Sequence, residues 1–99
     1  MASYIGYLRK HDSAGYRIEF PDFPECDSTA QRLEHAGVMA AEDLLRHVAA
    51  LVSFGLPVPP PTSMAQLADD PRREGCDMVV VELDLELVAN PTVSRYHNL

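Results

Sequence analysis

The sequence predicts an α+β domain, an antiparallel β-sheet in the order β-β-β-α-β packed on one main helix, and three stretches carry that prediction. In YRIEF, residues 16–20, Tyr16, Ile18 and Phe20 alternate with Arg17 and Glu19, the period-two pattern of a half-buried strand. Over residues 31–53 the period changes: Leu33, Ala36, Ala40, Leu44, Val48 and Leu51 recur every three or four positions, giving one apolar stripe on a helix. MVVVELDLEL, residues 78–87, returns to alternation, with Val79, Val81, Leu83, Leu85 and Leu87 on one face. Ninety-nine residues suit a single core between two packed layers. The domain is expected over residues 1–88, with 89–99 as a tail that has no apolar period.

The first strand is expected over residues 4–10, with Tyr4, Gly6 and Leu8 on one face and Ile5, Tyr7 and Arg9 on the other. Asp12, Ser13 and Gly15 supply the turn of a hairpin into the second strand. That strand runs into FPDFPEC, where Pro21 and Pro24 lack the amide hydrogen a ladder needs and so mark a stiff corner. Phe23 and Cys26 should fold the corner back on the domain, and a short third strand follows over residues 26–29. In the helix, Gly37 is a weak point at which close approach to the sheet is expected. Gly55 is placed as a left-handed cap, and PVPPP cannot continue the helix. An extended connector and a short helical turn over 64–68, capped by Thr62 or Ser63, lead to the last strand.

Charge and composition narrow the function. Fifteen acidic against eight basic residues leave a net charge of −7, the wrong sign for a phosphate-backbone partner and the right one for a basic protein. No apolar run approaches the roughly 20 residues that span a bilayer, and MASYIGYLRK has no charged-then-apolar leader, so a cytoplasmic protein without membrane contact is expected. Cys26 and Cys76 lack metal-type spacing and read as buried thiols. His11, His35, His47 and His97 do not pair at helical spacing. Glu82, Asp84 and Glu86 share a strand face, where a solvated or partner-facing stripe is the commoner role and a cation site the rarer one.

Two motifs add a family. GYRIEFPDFPEC resembles the Gly-aromatic-x-x-x-F-P-D-x-P-x-C signature of HicB-like antitoxins, and FGLPVPPPT resembles the G-x-P-(I/V)-P-x-P-S segment that follows their helix. The resemblance covers residues 4–88 and implies a partial ribonuclease H-like fold that covers a small basic toxin cleaving messenger RNA. Many such antitoxins carry a C-terminal DNA-binding domain. About a dozen residues after the last strand are too few for one, so no direct nucleic-acid binding is expected of this chain alone. The chain also has Arg32 where the family has a small hydroxylated helix cap, which leaves Thr29 or Gln31 for that role.

The fold's nuclease relatives need carboxylates converging on two metal ions, yet residues 4–10 contain none, so neither catalysis nor a cofactor or metal is expected. The expected partner is the basic toxin. Its candidate contacts are the corner residues Asp22, Phe23 and Glu25 and the acidic stripe Glu82, Asp84 and Glu86, an aromatic anchor beside carboxylates being suited to Lys and Arg. Pro21, Pro24 and Phe23 equally serve to build the corner. The alternative is a solitary module acting as a dimeric adaptor or small-ligand protein. Either role is expected to involve a homodimer or higher homo-oligomer, because open strand edges tend to be paired.

Overall fold

The computed structural model describes residues 2–11 and 15–84. The predicted turn residues Asp12 and Ser13, the continuation Leu85, Glu86 and Leu87, and the tail 89–99 lie outside the described residues. The elements are β1 (Ala2–His11), β2 (Gly15–Phe20), β3 (Phe23–Ala30), α1 (Leu33–Ser53), a short α2 (Met64–Leu67), one 3₁₀ turn (Pro71–Arg73) and β4 (Asp77–Leu83). This is the expected order in one four-stranded sheet, β3-β2-β1-β4, antiparallel throughout. β1 is central, with Leu8 opposite Ile18 on one side and Tyr4 opposite Val81 on the other.

The third strand is longer than its sequence suggests. It starts at Phe23 and includes Pro24, and a register shift at Glu19/Phe20 absorbs the bend. β3 lies at the sheet edge, the place in a sheet where a residue without an amide hydrogen such as Pro24 is tolerated. The corner therefore shrinks to Pro21 and Asp22.

The main core lies between α1 and one sheet face. Tyr4, Leu8, Ile18, Phe20, Cys26, Val81 and Leu83 meet Ala36, Ala40, Leu44 and Val48 there. The close approach expected at Gly37 occurs elsewhere. A Cβ on Gly37 would touch nothing within 4 Å, whereas one on Gly6 would lie 2.8 Å from Ile18 Cγ2 and 3.0 Å from the Phe20 ring. Arg32 is the N-cap residue ahead of α1 and makes no side-chain cap bond, so neither Thr29 nor Gln31 takes that role. It ends as expected: Gly55 has φ +69°, its N–H donates to the Val52 carbonyl at 3.0 Å, and the Leu56 N–H donates to the Leu51 carbonyl at 2.9 Å. Those two bonds are the paired closure of a Schellman cap.

A third, partial layer corrects the two-layer expectation. Ile5 and Tyr7, on the opposite face of β1, are buried against Leu67, with Cys76 and Met78 half-buried beside them. α2 is held in place by a capping box in which Ser63 and Gln66 satisfy each other. The 3₁₀ turn is tied to the sheet by the Tyr7 hydroxyl donating to Asp70 at 2.9 Å and by Arg9 donating to the Arg72 carbonyl at 3.0 Å.

Candidate partner-binding surface

The FPDFPEC corner is an internal fastening. Asp22 sits where the β2–β3 turn faces the proline connector, and its Oδ2 accepts from the Thr62 N–H at 2.9 Å while Oδ1 accepts from the Thr62 hydroxyl. On the other side of the connector the Tyr4 hydroxyl donates to the Pro59 carbonyl at 2.7 Å. Phe23 is 2% exposed, its ring set edge-on to Tyr4 at 4.9 Å and to His47 at 5.6 Å. The expectation of a surface aromatic anchor at Phe23 is thereby corrected. The ring fills the gap between β1 and α1 and leaves no face for a partner.

Glu25 is exposed on β3 and Glu82 is exposed on β4, so β2 and β1 separate them and they do not form one patch. Asp84 is half-buried just past β4, and Glu86 lies outside the described residues. Glu82 faces Ser3 across the strand pair, on the face opposite α1.

Most of the basic side chains are already engaged. Arg9 pairs with Glu19 at 3.2 Å, Arg17 with Asp27 at 2.7 Å, Arg46 with Asp43 at 3.0 Å, Arg32 with Glu34 at 3.2 Å and Arg72 with Asp70 at 2.9 Å. Neither Glu25 nor Glu82 takes part in these pairs. Where positive charge is spent internally, such carboxylates set the sign of the field a partner meets.

The titrating groups are structural in character. Hydrogen bonds from Arg72 hold Asp70 down to about 2. Burial, then the Asp70 carboxylate, pushes Tyr7 up to about 12. Burial, then Asp43 and Asp27, pushes the Cys26 thiol up to about 11, so at neutral pH it is a protonated, poorly nucleophilic group. The buried Ser28 hydroxyl is satisfied by donating to Asp43 at 2.5 Å. Among the described residues no group of three or more His, Cys, Asp or Glu side chains is placed to hold a metal ion, and no helix is long and apolar enough to cross a membrane.

Sequence reasoning did not find the Thr62 fastening, the His47–Phe23 contact, or the open groove of about 480 Å³ between the connector and the back of the sheet. Each joins residues distant in the chain. The local hint of the groove is Val80, which alternation puts on the face of Met78 and Glu82; it is exposed, whereas Val79 is half-buried and Val81 buried.

Comparison with known proteins supplies the lineage. No curated protein matches the chain. A chain of the HicA3 and HicB3 toxin–antitoxin complex is 30% identical, with a TM-score of 0.70 over 83% of this chain and 98% of that one. The N-terminal domain of the Burkholderia pseudomallei antitoxin HicB matches with a TM-score of 0.74 at 23% identity, over 83% of this chain and 98% of that one. A toxin–antitoxin complex from Streptococcus pneumoniae matches with a TM-score of 0.65 at 23% identity, over 95% of this chain and 74% of that one. The family description "HicB_like antitoxin of bacterial toxin-antitoxin system" matches residues 4–96. A four-stranded antiparallel sheet on one long helix, with the FPDFPEC corner between β2 and β3 and the Gly-Pro break after α1, thus has its place: the chain belongs to the HicB-like antitoxin family.

Proposed function

We propose that this chain is the non-catalytic antitoxin half of a two-protein system, binding a small basic messenger-RNA-cleaving toxin in the cytoplasm and covering its surface. The observation that carries the reading is the match to nearly the whole length of a chain in a solved toxin–antitoxin complex. The net charge of −7, with five arginines already in ion pairs, supports it by favouring a cationic partner. Glu25, Glu82 and Asp84 are the proposed contacts from the described residues, with Glu86 continuing the stripe in sequence. Asp22 acts through the corner it fastens. Self-association through a strand edge, giving a homodimer or higher oligomer, accompanies this role.

Co-expression with the small basic protein encoded by the adjacent reading frame tests the proposal. A stoichiometric complex on affinity purification, with relief of the growth arrest caused by that protein alone, is expected. Absence of both would sink the antitoxin reading. Light scattering on the purified chain checks the assembly, a monomer at high concentration being the contrary result.

A further inference from the structure

We propose that the groove between the back of β4 and the 61–64 connector is the seat of the toxin, taking one of its apolar side chains while a neighbouring Lys or Arg meets Glu82. This rests on the antitoxin reading above. The walls are Ala2, Ile5 and Val80 from the sheet and Pro61, Thr62 and Met64 from the connector, enclosing about 480 Å³. Val80 is 54% exposed and Met64 46%, a large apolar exposure for one slot. No lining residue is basic, and Glu82 stands on the same strand face as Val80, two residues along. An apolar slot with a carboxylate at its rim is complementary to a cationic protein surface, in which a buried anchor supplies affinity and the charge supplies orientation.

Two further features favour this place. The groove is preformed, since one wall is fixed by Asp22 gripping Thr62 and by the Ser63–Gln66 box, so little ordering cost falls on binding. It also adjoins the outer edge of β4, which pairs with no strand among the described residues. The opposite edge, β3, is blunted by Pro24 and a register shift, and its Asp27 is taken up by Arg17. A second apolar groove, where Val38 and Met39 face Thr29, lies beside that blunted edge.

Val80→Tyr fills the slot with a residue suited to a strand, and Ser3→Tyr crowds it from the exposed position beside it on β1. Glu82→Gln removes the rim charge. Affinity is measured by calorimetry against the purified adjacent-frame protein carrying an inactivating substitution, with circular dichroism confirming that each variant is folded. Either tyrosine variant should weaken binding by about tenfold or more. Glu82→Gln should weaken it several-fold and flatten its salt dependence, while Leu45→Asp on the exposed side of α1 should leave it unchanged. Affinities within about twofold of the original chain for both tyrosine variants would overturn the groove while leaving the antitoxin reading intact. So would an equal loss from Leu45→Asp, or tyrosine variants that change only the chain's own oligomeric mass, which would assign the slot to a second copy. If the unaltered chain does not bind at all, the antitoxin reading itself falls.

Discussion

Tyr7 and Asp70 lie 63 positions apart, yet their hydrogen bond and the Arg72 guanidinium together decide how the back layer is held. Asp70 is depressed from 3.8 to about 2, so its stabilising contribution is complete above about pH 4 and is lost as the pH falls toward 2. Urea unfolding across that window should show stability falling with acid. In Asp70→Asn that component should be absent and the difference from the parent should close near pH 2. Tyr7→Phe should cost about 1 kcal/mol at neutral pH, the net worth of one hydrogen bond. On the alkaline side the sign reverses. Cys26 and Tyr7 are raised from 9.0 and 10.0, so they favour the folded state below those values, and that support is lost as the pH passes about 11 and 12. None of these partnerships is visible in sequence, because a carboxylate in DDPRREG and a tyrosine on β1 have no local relation.

At the scale of elements, local pattern was a good guide and spatial neighbourhood was not. The alternation of β2, the stripe Ala36–Ala40–Leu44–Val48 and the Gly55 stop follow from period and backbone chemistry within a few residues, and the structure has all three. The two glycines show the other side. Gly37 stands on the exposed side of α1, so Gly37→Ala should stabilise the domain by about 0.5–1 kcal/mol through helix propensity alone. Gly6→Ala would force a methyl against Ile18 and Phe20 and should cost about 1–3 kcal/mol as overpacking. Thermal melts of the pair therefore move in opposite directions, and equal shifts would contradict the packing described. Phe23 and Asp22 teach the same lesson. Their place beside two prolines identifies a corner, but only the positions of Tyr4, His47 and Thr62 turn one into a core ring and the other into a fastener.

For the whole molecule, the decisive quantity is an acidic balance left exposed after five arginines pair internally. Association with a basic partner should slow steeply between about 0.05 and 0.5 M salt, as the screening length drops below about 10 Å, while dissociation changes little. Stopped-flow mixing measures this, and a salt-independent association rate would remove charge steering from the account. The fold and family were legible because they reside in motifs and periods. The proposed partner surface is only partly legible in sequence: Glu25 and Glu82 are candidates there and both are exposed, but they lie at opposite sheet edges, a separation set by strand order.

That strand order has a consequence for how the chain is made. β1 is the first strand to be synthesised and lies second from one edge in the finished sheet, with β4 the last described element to join it. At roughly 5–20 residues per second, the ribosome takes about 3–13 s to move the 63 positions from Tyr7 to Asp70, and longer to complete β4. Throughout that interval a nascent sheet of β1, β2 and β3 presents the backbone edge of β1 that β4 later pairs with, from Ala2 to Leu8. Translational pauses or premature stops before Asp77 thus leave a sticky edge where the finished protein has its centre.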